Sequence, residues 1–215
     1  MTKNRDFNCL PYGQAKDWRI AFVDVETTGL IPGYHEMVDI GVVISDLSGE
    51  EIACFFQRIM PRYPGRASEE ALSCNGFTVE RWRETGAVSG EKAVEEIIEF
   101  YNSIVPEEHV LMSAYNATFD HAFLDHLFRQ AGKKARQLHN YVLDLPAVAW
   151  GAGYHNLHLN QIVERLGVED EPRVSNGAKP WEHTGLTGAK LNKRIYQKLK
   201  APKGIDEETS RILTF

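Results

Sequence analysis

Residues 20–29 read IAFVDVETTG, and this stretch is the most informative part of the chain. A run of β-branched and aromatic residues, closed by the threonines and glycine of 27–29, predicts a short strand that ends in a turn. Because side chains alternate across a strand, Asp24 and Glu26 share one face while the neighbouring valines point to the other. Acidic residues are poor strand formers, and buried carboxylates need partners.

Two interpretations of this acidic pair remain open from the pattern alone. A divalent cation would satisfy both carboxylates, because their hard oxygens suit Mg²⁺ or Mn²⁺. An edge strand whose acidic face is solvated would also produce the pattern, without any metal site.

The rest of the chain predicts an α/β fold. Residues 38–45 and 52–60 are further predicted strands, and their short links favour an antiparallel meander, since parallel neighbours need long crossovers. Predicted strands at 110–115 and 141–145 then alternate with helices. We therefore expect a mixed five-stranded sheet, antiparallel first and then parallel, with flanking helices. The predicted helices cover residues 94–101, 119–131, 157–166 and 186–199.

Length and composition indicate one globular domain. The chain has 215 residues, of which 43% are hydrophobic and 25% are charged, and its net charge is −6. We expect a domain over residues 19–200, with a polar extension at 1–18 and a tail at 201–215. The net negative charge argues against a protein that binds nucleic acid non-specifically through a positively charged surface. It does not argue against an enzyme that holds phosphate through metal ions.

Further sequence features bear on location. No apolar run reaches the length of a membrane span, and the polar N-terminal residues lack a signal peptide's apolar core. The three cysteines form no CxxC pair, so free thiols in a reducing compartment are expected. These features favour a cytoplasmic protein without a membrane partner.

Two residues outside the first strand could contribute to catalysis. Asp120 lies in the first turn of a predicted helix and shares a face with Phe123 and Leu124. An acid there could equally do no more than complement the helix dipole. His183 precedes the last helix, and its reference pKa of about 6.5 suits a general base. Taken singly, each residue is more simply explained by an ordinary structural role.

Together these residues resemble a known family. The sequence DVETTGL at 24–30 is similar to the first motif of the DnaQ-like 3′–5′ exonucleases of the DEDDh type, in the ribonuclease H-like superfamily. The sequence NATFD at 116–120 resembles their second motif. The sequence HTGLTGAK at 183–190 matches the frame of the third, with Leu186 and Ala189 in the expected places. The resemblance covers about residues 19–200.

The resemblance implies a ribonuclease H-like fold and a metal-dependent 3′–5′ exonuclease. Such an enzyme would release nucleoside 5′-monophosphates from the 3′ end of single-stranded DNA or RNA, and a homodimer is compatible with the family. Two divalent cations, Mg²⁺ or Mn²⁺, would be held by Asp24, Glu26 and Asp120, and His183 would be the general base. The residues expected to contact the terminal nucleotides are Thr27, Thr28, Gly29, Leu30, Asn116 and Phe119.

The sequence departs from the family pattern at Gly188, where the third motif has its last aspartate. Position 188 is in phase with Leu191 and Ile195, so it should face inward. Losing this ligand leaves three outcomes open: an enzyme with a looser metal, a pseudo-exonuclease that binds 3′ ends with little hydrolysis, or an introduced substitution. A purely structural interaction module would leave Asp24 and Glu26 unexplained.

Two expectations about local behaviour follow from these assignments. Gly188→Asp should restore a fourth carboxylate with little change in fold stability, since aspartate is no worse than glycine in a helix. His183 should be loosely held, because its segment is polar and contains glycine and proline.

Overall fold

The computed structural model describes residues 18–105, 110–134 and 141–200. Five strands form one mixed sheet in the order β3-β2-β1-β4-β5. The first three strands are antiparallel, whereas β4 is parallel to both β1 and β5. The predicted mixed sheet is therefore confirmed. The strands are β1 (Arg19–Thr27), β2 (Met37–Ser45), β3 (Glu51–Arg58), β4 (Val110–Ala114) and β5 (Val142–Asp144).

The four helices predicted from periodicity are present, together with three shorter ones that were not predicted. Helices of six or seven residues span less than two turns, so they show too little periodicity to be recognised. None of the helices within the described ranges is long and apolar enough to cross a membrane. The helices are α1 (Glu69–Asn75), α2 (Val79–Glu84), α3 (Gly90–Ile104), α4 (Ala117–Gln130), α5 (Leu145–Gly151), α6 (Leu159–Leu166) and α7 (Gly185–Lys200).

Helices cover both faces of the sheet. Val23 and Val25 of β1 belong to the core formed with α3 and α4 on one face. Phe22 packs with Ala189 of α7 on the other face. Strand alternation therefore places Asp24 on the α7 side of the central strand. The alternative of a solvated edge strand is excluded.

The start of α7 lies directly against the sheet. A Cβ on Gly185 would be 2.5 Å from the carbonyl oxygen of Asp24, so only glycine allows this approach. The Gly185 N–H donates to Asp39 Oδ1 at 2.9 Å. Further along α7, Asn192 Nδ2 donates to the carbonyl oxygen of Val23 at 3.0 Å. Polar contacts to two strands thus fix the position of the helix.

The expected ends of the domain cannot be compared fully with the structure. The extension predicted at 1–18 lies outside the described residues except for Trp18, and the tail predicted at 201–215 lies outside them entirely. Cys54 and Cys74 are free thiols, as expected.

Candidate active site

Asp24 lies at the centre of the candidate site, on β1, the middle strand of the sheet. Its carboxylate faces Gly188 of α7, where an added Cβ would be 2.5 Å from Asp24 Cγ and closer still to Oδ2. Position 188 therefore faces inward, as the helical phase predicted. The space that a side chain would need there is filled by Asp24 itself.

Glu26 and His183 are paired. His183 Nε2 lies 3.0 Å from Glu26 Oε1, and its Nδ1 lies 3.1 Å from the carbonyl oxygen of Pro172. The His183 side chain is 18% exposed. With both ring nitrogens in contact with partners, His183 is firmly held, so the expectation of a loosely held histidine was wrong. The polar segment that precedes it folds back and supplies one of the contacts.

Asp120 reaches the same strand from the start of α4. Its Oδ1 accepts a hydrogen bond from the Val25 N–H at 3.1 Å, between the two acidic residues of β1. The last pair between β1 and β4 joins Phe22 and Ser113, so the end of β1 extends beyond its parallel neighbour. Asp120 satisfies a backbone donor at this unpaired end. The proximity predicted from the motifs is confirmed.

The clustered carboxylates repel one another. Burial is the largest effect on Asp24 and raises its pKa well above the ordinary value, and the charges of Asp120, Glu171 and Glu26 raise it further. Burial likewise raises the pKa of Asp120 to about 8, although backbone N–H groups, including that of Val25, oppose the shift. A cation would relieve this repulsion.

The pKa of His183 reflects its acidic surroundings. Burial would lower this pKa, but the hydrogen bond to Glu26 and the charges of Glu26 and Glu171 outweigh it and raise the pKa to about 9. The imidazole is therefore protonated at neutral pH in this arrangement. It can act as a base only after Glu26 has turned away.

Asp39 is an acidic residue of this site that the sequence analysis missed. It is fully buried on β2 opposite Glu26, and its Oδ2 has no hydrogen-bond partner among the described residues. Burial and the charge of Glu26 raise its pKa to about 8, against the opposing effects of the Gly185 N–H, Arg58 and His183. The signal was available, because Asp39 interrupts an apolar strand just as Asp24 does.

Glu171 is a second acidic residue that was missed. It lies between α6 and α7, yet it is only 5% exposed. Its Oε2 is 3.5 Å from His183 Nδ1, and its Oε1 is paired with Arg173. Neither periodicity nor a motif distinguishes this glutamate in a polar loop, so the sequence offered no signal.

The residues expected to bind nucleotide lie beside this cluster, but they differ in accessibility. Thr28 is buried, and its hydroxyl accepts a hydrogen bond from the Glu36 N–H at 2.9 Å. The Thr27 hydroxyl donates to the Gly29 carbonyl at 2.7 Å. Leu30, in contrast, is 79% exposed. The hydroxyls thus shape the turn, and Leu30 is the side chain free to touch a ligand.

Two exposed aromatic side chains near this turn share one arginine. Tyr34 and Tyr63 are both about half exposed. The Arg66 guanidinium lies 4.0 Å from the Tyr63 ring centroid and 5.1 Å from that of Tyr34. The Ser68 N–H donates to the Thr28 carbonyl and ties this segment to the turn. We call Leu30, Tyr34, Tyr63 and Arg66 the aromatic rim.

The second motif forms the start of α4. Asn116 precedes the helix in the left-handed region, with φ of 70°, and it is exposed. Phe119 packs against Phe123, with ring centroids 4.9 Å apart. Asp144 Oδ1 accepts a hydrogen bond from the first helical N–H, that of Ala117, at 2.9 Å. These contacts orient the first turn, which carries Asp120.

The donor set suits hard divalent cations, because several buried carboxylates converge without enough basic partners to neutralise them. Among residues 18–105, 110–134 and 141–200, no three acidic, histidine or cysteine side chains already surround one point as metal ligands. The hydrogen bonds described above explain this, since Glu26 faces His183 and Asp120 faces Val25. Binding a cation requires these side chains to turn.

Comparisons with known proteins agree with this geometry. A family model described as RNase_T: Exonuclease matches residues 21–196. The 3′–5′ DNA exonuclease Cap18 of Escherichia coli is 31% identical over 107 residues, which make up 49% of this chain and 54% of that protein. The chain therefore aligns with about half the length of this curated relative.

Solved structures of exonucleases share the fold. A structure of exonuclease I has a TM-score of 0.68 and 14% identity, covering 85% of this chain and 41% of that one. A zinc-bound complex of E. coli exonuclease I with single-stranded DNA has the same TM-score and 12% identity, covering 85% and 40%. The nuclease domain of 3′hExo, a DEDDh family member bound to rAMP, has a TM-score of 0.65 and 18% identity, covering 84% and 90%.

The family model covers more than half of the chain and includes the residues of all three motifs. The chain belongs to the RNase T exonuclease family.

Proposed function

We propose that this protein is a metal-dependent 3′–5′ exonuclease that releases nucleoside 5′-monophosphates from single-stranded DNA or RNA. The observation that carries the proposal is the meeting of Asp24, Glu26, Asp120 and His183 at one end of the central strand. These residues come from three separate parts of the chain and match the three motifs in order.

Asp24, Glu26 and Asp120 are the residues that would hold two divalent cations, Mg²⁺ or Mn²⁺. When bound, these ions would supply Lewis-acid stabilisation of the phosphoryl centre and activation of water. Without a metal, burial and the neighbouring carboxylates disfavour the charged forms of Asp24 and Asp120, so their pKa values are raised. A bound cation would neutralise these charges in place of the protons. Glu26 must release His183 before it can serve as a ligand.

His183 would accept a proton from the attacking water at Nε2. The Pro172 carbonyl can only accept a hydrogen bond, so it keeps the remaining proton of the neutral ring on Nδ1. This contact fixes the tautomer that leaves the Nε2 lone pair free. Releasing Glu26 removes the interaction that holds Nε2 protonated, so the same movement would free a ligand and a base.

The aromatic rim would bind the bases next to the scissile phosphate. Exposed aromatic rings and an arginine plane suit stacking of unpaired bases, which is insensitive to sequence. The site is acidic and the rim carries only Arg66, so contacts to bases rather than to many phosphates would dominate. This arrangement favours single-stranded ends over duplexes.

The proposal is tested with a 5′-labelled single-stranded oligonucleotide, as DNA and as RNA, in Mg²⁺ or Mn²⁺. We expect a ladder that shortens from the 3′ end, that stops when a chelator is added, and that a blocked 3′ terminus prevents. Asp120→Asn should abolish shortening. Asp125→Asn is the matched control, because Asp125 lies on the same helix but pairs with Arg129 at the surface.

Gly188 favours a second candidate function, a pseudo-exonuclease that binds 3′ ends. Fluorescence anisotropy with the same oligonucleotides distinguishes the two. Tight binding without shortening in either metal would assign the protein to this second function and refute hydrolysis.

A further inference from the structure

We propose that Glu171 is the fourth carboxylate of the metal site and replaces the aspartate that is absent at Gly188. This inference rests on the proposed function and deepens it. It assigns the ligand to the segment between α6 and α7, outside all three motifs.

The helix cannot supply this carboxylate itself. Any residue with a Cβ at position 188 would place that atom 2.5 Å from Asp24 Cγ and 3.0 Å from Asp24 Cβ. With Asp24 and α7 in their present positions, position 188 has no room for a side chain, so a fourth carboxylate would come from another segment.

The burial of Glu171 is unusual for a glutamate in a loop, since such residues are seldom buried unless they are paired. Arg173 engages only one of its oxygens, Oε1. The other, Oε2, lies 3.4 Å from Thr187 Oγ1 and 3.5 Å from His183 Nδ1. Both contacts are longer than a good hydrogen bond of about 2.9 Å, so a metal ion would replace weaker contacts at Oε2 than the one Arg173 makes at Oε1.

The backbone around Glu171 is fixed on both sides. Asn176 Nδ2 donates to the Glu171 carbonyl at 2.8 Å, and its Oδ1 accepts from the Arg173 N–H at 2.8 Å. The neighbouring Pro172 carbonyl contacts His183. This segment is thus built around the site and presents the carboxylate in a defined position.

The charge of Glu171 also acts on Asp24. Burial and the charge of Asp120 raise the pKa of Asp24 most, and the charge of Glu171 raises it further. Thr187, which contacts Glu171, immediately precedes Gly188 on α7. The Glu171 carboxylate therefore contacts the turn of α7 that contains Gly188, where the family motif has its last aspartate.

The test measures Mn²⁺ binding to the full chain by calorimetry, without nucleic acid. Glu171→Gln keeps the size of the side chain and removes its charge, and we expect it to weaken Mn²⁺ binding at least about tenfold, the lower limit for losing even an indirect partner of a metal. Glu169→Gln is the matched control, because it removes the same charge from an exposed position two residues away. It should leave the affinity unchanged.

Other outcomes separate the possible failures. Circular dichroism verifies the fold, and Glu171→Asp, which keeps the charge but shortens its reach, must also bind Mn²⁺ more weakly. Unchanged affinity in the glutamine variant with slower hydrolysis would show that Glu171 only orients His183, and would overturn this assignment alone. A parent protein that binds no Mn²⁺ and cleaves no strand would overturn the proposed function together with it.

Discussion

Gly188→Ala is the perturbation for which the structure makes the sharpest prediction. In an exposed helix interior this change stabilises a protein, because glycine is about 1 kcal/mol worse than alanine there. At position 188 the added methyl would overlap the Asp24 side chain, 2.5 Å from Cγ and 3.0 Å from Cβ. Since ordinary carbon contacts begin near 3.5 Å, either Asp24 or α7 must move.

Two opposing effects set the size of the change. Overpacking a well-filled site costs about 1–3 kcal/mol, against the gain in helix propensity of about 1 kcal/mol. We expect a net loss of roughly 0–2 kcal/mol, which corresponds to a fall in Tm of up to about 8 °C for a chain of this size. Gly151→Ala, at the end of α5, is the control, because no atom in the described part of the chain lies within 4 Å of its added Cβ.

Thermal unfolding of the metal-free protein measures these changes, and a double-mutant cycle locates their cause. Asp24→Ala removes the closest atoms and leaves only Cβ, so adding Gly188→Ala to it should cost much less than in the parent. The coupling should fall within about 0.5–3 kcal/mol, as for residues in contact. If Gly188→Ala stabilises the parent as much as Gly151→Ala does, α7 does not lie against Asp24 as described.

The same geometry changes the expectation for Gly188→Asp. The sequence predicted tighter metal binding with little effect on the fold. An aspartate carries the same Cβ as alanine and brings a second carboxylate toward Asp24, whose pKa is already raised. We now expect lower stability and no simple recovery of metal affinity.

Three further results are expected. His183→Ala should slow hydrolysis about 10²–10⁴-fold, the usual contribution of a general base, and single-turnover rates measure this; a change of only a few-fold would remove His183 from the mechanism. Because folded Asp39 and Asp120 hold protons up to pH of about 8, the chelated protein should lose stability as pH rises from about 4 to 8. Asp39→Asn should flatten this fall and raise stability at pH 8, because the amide stays neutral where Asp39 begins to lose its proton; melting curves at several pH values would show a parallel slope if Asp39 were not protonated. Mn²⁺ should raise the Tm of the parent at pH 8 by binding only the folded state, and an unchanged Tm would contradict a metal site.

The sequence predicted the sheet well because its signals were local. The alternating residues of β1 and the short links to β2 and β3 were enough to predict an antiparallel meander and a strand with an acidic face. The sequence could not predict which face of the sheet α7 covers, since this depends on contacts between residues far apart in the chain. Asp39 visibly interrupts an apolar strand in the sequence, but its place at the site depends on the Gly185 N–H of α7 that donates to it.

Glu171 marks the limit of prediction from motifs. A motif identifies a ligand by its spacing from neighbours, whereas Glu171 reaches the site through contacts with Arg173, Thr187 and His183. Nothing in its own segment distinguishes it from Glu169, which is exposed. The two glutamates differ in burial, and this difference arises only when the segment folds.

The glycines at the α7 contact determine how closely this helix lies against the sheet beside Gly188. A Cβ on Gly41 would overlap backbone atoms of Gly185 and Leu186, and one on Gly185 would overlap the backbone of Asp24. Helix and sheet are therefore in backbone contact one turn before position 188, and this contact sets the depth at which the helix lies. At that depth the Asp24 carboxylate occupies the space beside Gly188. With Asp24 in this position, a helix packed this closely leaves no room for an acidic side chain at 188. Glu171, which lies outside the helix, is therefore the carboxylate that we propose completes the site.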